Sequence, residues 1–213
     1  MPDIEQARAW YPDSDPVHGF DHILRVYHLA SRLAEQTGAN LEIVQAAALL
    51  HDAHVAQPDA QGEARSAHQQ HSADFAGRVL RGEGWPAARI AEVQHCIRAH
   101  RFRDDSEQPQ TLEAKVLFDA DKLDAIGAIG VARAIAYAAH QGNPAYIAPS
   151  QQFMEKGCKL VGEQHSAYHE YLYKLRKLKE RLYTQPARAI AAERHRFQES
   201  FFERLIAESN GEK

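Results

Sequence analysis

Residues 41–53 read LEIVQAAALLHDA, an apolar run that closes on a His-Asp pair, His51-Asp52. A run of this length and composition predicts a buried helix. The pair at its end sets an imidazole beside a carboxylate. Matching residues lie on either side: His22 in GFDHILRVYHLA (19–30) and Asp121 in FDADKLDAIGAIG (118–130). Together His22, His51, Asp52 and Asp121 make a two-nitrogen, two-oxygen ligand set. Such a set suits a divalent metal that keeps positions open for water and substrate, which points to metal-dependent hydrolysis. Adjacent helical residues are about 100° apart. His51 and Asp52 therefore reach one ion only if it lies beside the helix end, and their different lengths allow this. Three helices converging on one ion is a way for a helical bundle to build a metal site.

The same reading extends outward as helices. Ile23, Val26, Ala30 and Leu33 recur at three- and four-residue steps and predict a helix near 22–37, ended by Gly38. Pro58, Asp59 and Gly62 mark a loop after the His-Asp pair, and RFRDDSEQPQ (101–110) marks another. Further helices are expected near 65–82, 86–100, 111–125 and 127–141, with Pro86 in the first turn of its helix. After the break at GNPAYIAPSQ, two long basic helices are expected near 151–182 and 187–208, separated at Pro186. No strand alternation and no internal repeat stand out. The expectation is an all-α fold and one domain over residues 1–213. Its metal-site core would span about 15–141, and a helical cap over the site about 150–210.

Composition narrows the function classes. The chain has 213 residues, 44% hydrophobic and 25% charged, with net charge −4. That is a globular composition, and it does not suit a binder of long nucleic acid. No apolar stretch approaches a membrane span, and the N-terminus lacks a secretory pattern. Two widely separated cysteines argue against a disulfide framework, so a cytoplasmic location is expected. The charge is uneven. Residues 1–64 carry three Lys/Arg against ten Asp/Glu, a local charge of −7, whereas residues 174–204 carry nine against four, a local charge of +5. Thirteen histidines are more than helical cores require, and four of them fall between His68 and His100.

These residues resemble the HD-domain superfamily of metal-dependent phosphohydrolases, and within it the small single-domain YpgQ/YedJ-like branch. The resemblance spans nearly the whole chain. It begins with His18, His22 and Arg25-Val26, and continues through AALLHDA, a His-Ser-Ala at His71 and HRFR (100–103). The specific block DADKLDAIGAIGVARA (119–134) follows, then YKL (173–175) and TQPAR (184–188). One departure is Gly19, where relatives often carry Asp. The resemblance implies that His22, His51, Asp52 and Asp121 hold the metal and that water activated by it attacks phosphorus. It implies a nucleotide substrate, most specifically a nucleoside triphosphate cut to the monophosphate and pyrophosphate. Mn²⁺ suits the mixed N/O set; Mg²⁺, Co²⁺, Ni²⁺, Fe²⁺ and Zn²⁺ are also compatible.

Position nominates the remaining roles. Asp52, His71, His100 and Asp124 are candidates for proton transfer or water orientation. Arg25, Arg101, Lys122, Lys174 and Arg188 are candidates to hold phosphate, and His18 is a candidate support for His22. No phosphate-binding glycine loop and no nucleophile elbow occurs. One rival reading is a dinuclear HD protein, either a di-iron oxygenase or a two-metal phosphodiesterase. It would take further ligands from His71 and either His95 or His100. The other rival is a non-catalytic regulatory module.

Overall fold

A computed structural model describes residues 1–11, 19–53, 68–101 and 107–213. His18 and the expected loops around Pro58 and Arg103 lie outside them. The architecture is all-α. Among the described residues ten α-helices occur, with one 3-10 helix at Leu175–Arg181: α1 Ile4–Arg8, α2 Phe20–Thr37, α3 Leu41–Leu50, α4 His68–Gly82, α5 Ala87–Ala99, α6 Leu112–Asp124, α7 Gly127–His140, α8 Gln151–Lys156, α9 Ala167–Tyr173 and α10 Gln185–Ser209. The chain forms two compact units, residues 1–122 with 182–187 and residues 123–181 with 188–213. The division falls inside α6 and again inside α10.

In the first unit, α3 owes its place to its composition. Asn40 caps it by accepting a hydrogen bond from the Ile43 amide. From Ile43 to Leu50 every residue except Gln45 is buried, so the helix is enclosed and its C-terminal end carries His51 and Asp52 into the interior. Tyr11, Phe20, Ile23, Leu49 and Ala53 pack together at that end. The Tyr11 hydroxyl donates to the Leu49 carbonyl at 2.8 Å, which ties the N-terminal segment to the turn before the His-Asp pair.

The second unit departs from expectation in one segment. The helix predicted near 151–182 is three pieces, α8, α9 and the 3-10 helix, separated by a loop at 157–166. The cause is local. Gly157 ends α8 at φ 69°, a left-handed conformation that glycine adopts without a Cβ clash. Ser166 then caps α9 through its hydroxyl. Between them Glu163 fastens the loop. Its carboxylate accepts from the Ser150 amide (2.8 Å), the Ser150 hydroxyl (2.7 Å) and the Leu160 amide (2.7 Å), and lies 3.2 Å from His169 Nε2.

The amide of Ser150, with those of Leu160, the hydroxyl and His169, holds the Glu163 carboxyl at about 2, against an ordinary 4.5. A depressed carboxyl stabilises the fold above its unfolded pKa, and that contribution is lost as pH falls from about 4.5 towards 2. Thermal melts followed by circular dichroism should show acid destabilisation in this window for wild type and a flatter profile for Glu163→Gln. Identical pH profiles would mean that the carboxylate does not fasten the loop.

The DAIGAIG block is explained by close approach. Gly127 has φ 77°, and a Cβ there would lie 2.9 Å from Arg194 Cβ. A Cβ on Gly130 would lie 2.3 Å from the Ala125 carbonyl oxygen. A side chain at position 127 would press on Arg194 of α10 and one at position 130 on the backbone of the α6–α7 turn, which accounts for both glycines.

Candidate metal centre

Four elements of the first unit bring their side chains to Asp52. α2 supplies His22, the end of α3 supplies His51 and Asp52, α4 begins with His68, and α5 ends at His100. Asp52 Oδ2 lies 3.9 Å from His22 Nε2 and 3.6 Å from His51 Nε2. Its other oxygen, Oδ1, lies 3.8 Å from His68 Nε2 and 3.5 Å from His100 Nε2. α6 adds Asp121, whose Oδ1 is 3.5 Å from His22 Nε2. Ligands at about 2.0–2.2 Å from a common ion are spaced by roughly these distances.

The hydrogen bonds fit a metal. His51 Nδ1 is 2.9 Å from the Ala48 carbonyl, so this nitrogen carries the proton and donates. That leaves His51 Nε2 as a buried lone pair without a hydrogen-bond partner, and Asp52 Oδ1 also has none. Buried polar atoms of this kind are costly unless something binds them. His100 repeats the arrangement, with Nδ1 bonded to the Ile97 carbonyl and Nε2 facing Asp52. A proton fixed on Nδ1 by a carbonyl is the usual preparation of an imidazole for metal ligation through Nε2. Two groups can hold an ion: His22, His51 and Asp52, and separately Asp52, His68 and His100.

The electrostatics agree. Burial pushes the His51 imidazole down to about 4, so it is a neutral donor near neutrality. Burial opposes the Asp52 charge, but the imidazoles of His51, His100 and His68 outweigh it and hold the carboxyl well below the usual range. At Asp121 burial is likewise outweighed, here by the Lys122 ammonium and then by the histidines. Lys122 is buried and its Nζ donates to Asp121 Oδ2 at 2.7 Å, leaving Oδ1 turned to His22.

The other candidates are placed as follows. His71 lies in α4 one turn beyond His68 and is half-buried. His95 is taken up elsewhere: Nδ1 pairs with Glu107 at 2.7 Å, and Nε2 accepts from the Gln110 amide. Arg25 pairs with Asp21 on its own helix, and Arg101 donates to Gln69 at 3.2 Å. In the second unit, the Asp124 carboxylate accepts from Arg133 at 2.6 Å, Lys174 pairs with Glu170 at 3.2 Å, and Arg188 is exposed near the start of α10.

Two residues stand out only in the structure. His68 was visible as half of an HxxH spacing with His71, but that spacing puts both on one helix face and does not choose between them. Asp119, two residues before Asp121, is fully buried. It accepts from the Tyr183 amide (2.8 Å), the Thr184 amide (2.7 Å) and the Thr184 hydroxyl (2.7 Å), fastening residues 182–187 to the helix that carries Asp121.

Comparison with known proteins identifies the family. The HD domain family matches residues 19–126. The protein YpgQ of Bacillus subtilis is 34% identical over 209 residues, covering 94% of this chain and 91% of its own. The crystal structure of Bacillus subtilis YpgQ in complex with ADP superposes with a TM-score of 0.74 at 32% identity, covering 99% of this chain and all of the other. A predicted HD superfamily hydrolase from an uncultured Thermotogales bacterium gives 0.66 at 29% identity, covering 96% and 90%. The chain belongs to the HD domain family. HD domains bind divalent metals, and the two His/Asp groups are able to hold one. No described helix is long and apolar enough to cross a membrane.

Proposed function

We propose that the protein is a metal-dependent phosphohydrolase that cleaves a nucleoside triphosphate between its α and β phosphates, releasing the monophosphate and pyrophosphate. The observation that carries the hydrolytic reading is the orphaned Nε2 of His51 beside Asp52, with His22 and Asp121 completing the set. The ADP complex of YpgQ supports a nucleotide-type ligand. A divalent ion, Mn²⁺ in our reading, supplies a Lewis acid that acidifies water and offsets phosphate charge. Asp52 orients the attacking water with whichever oxygen the ion leaves free. We assign proton transfer to His100, whose Nε2 faces Asp52, and to His71, one turn beyond His68 on α4; Asp124, which accepts from Arg133, is the candidate of the second unit. Lys122, held on Asp121, keeps further N–H donors for a phosphate oxygen. Arg25 and Arg101 are the candidate phosphate contacts of the first unit, and Lys174 and Arg188 those of the second.

A release assay over a nucleotide panel with several divalent metals tests this. Monophosphate and pyrophosphate should appear together. Orthophosphate appearing first, with a diphosphate left over, overturns the assignment. Lys174→Ala should raise KM for triphosphates by about ten-fold or more and leave monophosphates unaffected, because a charge-assisted phosphate contact contributes about 1.5–3 kcal/mol. Equal effects on both substrate lengths, or none, would remove Lys174 from the site.

A second reading is favoured by one observation, the Asp52, His68 and His100 group on the far oxygen of Asp52. With Asp52 common to both groups, the residues could hold two ions, which would supply the chemistry of a two-metal phosphodiesterase or a di-iron oxygenase. Two ions per chain, falling to one in His68→Ala, would support it. One ion in both proteins would exclude it, and oxygen consumption separates its two chemistries.

A further inference from the structure

We infer that the second unit carries a binding pocket for a small organic phosphate with a flat ring, of about the size of a nucleoside monophosphate. The pocket is a cavity of about 240 Å³ between α8 and the end of α9. Phe153 and Leu172 are buried and form its apolar lining, and the half-exposed Met154 and Tyr173 border it. Gly157 makes room for the aromatic wall: a Cβ there would already touch Tyr173 Cδ2 at 3.5 Å.

The charge at this cavity is unbalanced. Lys156, Arg176 and Lys177 all line it, and none of them forms an ion pair among the described residues. Their neighbour Lys174 is paired with Glu170, so pairing is the local alternative they do not take. Glu155, the one carboxylate in the lining, accepts from Gln151 at 2.8 Å. Lys177 Nζ sits 5.6 Å over the Tyr173 ring and so joins the cationic group to the aromatic one. Three cations around a concave surface raise the local concentration of anions. Exposed Met and Tyr beside them are the groups on which a planar ring packs. Cations alone would suit inorganic phosphate and an apolar lining alone would suit a hydrocarbon; the two together suit an organic phosphate. Ligand pockets commonly run to about 300–1,000 Å³, so this one takes a ring and a phosphate rather than a larger molecule.

The pocket uses no residue of the metal centre, so it stands apart from the hydrolytic reading and is testable on full-length protein held in chelator. Calorimetric titration with adenosine monophosphate should show saturable binding. Arg176→Ala should weaken it by about ten-fold or more. Tyr173→Ala should weaken it comparably while leaving the response to inorganic phosphate unchanged, because base–aromatic stacking is lost and charge is not. Both side chains are exposed, and circular dichroism checks that the fold is kept. No saturable binding, or binding that persists undiminished in either variant, overturns the proposal.

Discussion

Asp52→Ala will lose most bound metal and nearly all hydrolysis, while the helical signal in circular dichroism stays intact. Asp52 lies within 4 Å of all four imidazoles of the cluster, two on each oxygen. Removing it takes away the carboxylate that His22, His51, His68 and His100 share. A Lewis acid stabilises developing phosphate charge by several kcal/mol, and about 1.4 kcal/mol is a tenfold change in rate, so the loss should reach roughly 10³-fold. His51→Ala should behave similarly, because it deletes the buried lone pair on Nε2. The helices should survive because α3 is held by its apolar residues rather than by this carboxylate. Metal analysis and turnover on the same preparation decide the matter. Near-wild-type turnover with the metal retained in either variant would refute the metal-centre reading.

Asp119→Ala will produce the largest loss of stability, about 3–5 kcal/mol in urea unfolding. Its carboxylate accepts three hydrogen bonds in a fully buried place. Alanine strands two backbone amides and a hydroxyl, and each buried orphan costs about 1–3 kcal/mol. Asp119→Asn should lie between, since it keeps one acceptor oxygen but turns an amide N–H₂ towards a donor. A loss under about 1 kcal/mol in Asp119→Ala would mean that water replaces the carboxylate and that the 182–187 segment is held by other contacts.

Legibility differed from one residue to the next for physical reasons. The α3 run was plain because burial on all sides leaves an uninterrupted apolar stretch. The 151–182 segment is not one helix because Gly157 ends α8 in a left-handed turn and Ser166 caps a new helix, two local signals that its basic, mixed composition obscures. Glu163, reaching back thirteen residues to Ser150, then fastens the loop between them, a contact no local propensity contains. His95 and His100 are equal in sequence, five residues apart on one helix pattern. Glu107, from the segment between α5 and α6, takes His95, and the Ile97 carbonyl turns the ring of His100 so that Nε2 faces Asp52.

Ligand chemistry and helical class were therefore determined by the sequence alone: residue type sets what can bind a metal, and hydrophobic periodicity sets what forms a helix. Which histidines face the same carboxylate was decided only by tertiary structure. Convergence of α2, α3, α4 and α5 is a matter of helix packing, and a turn of about 100° per residue leaves His68 and His71 equivalent until a neighbour is placed beside one of them. The same holds for Asp119. A carboxylate in an Asp-Ala-Asp run reads as another ligand until the amides of Tyr183 and Thr184, more than sixty residues away, are found on it.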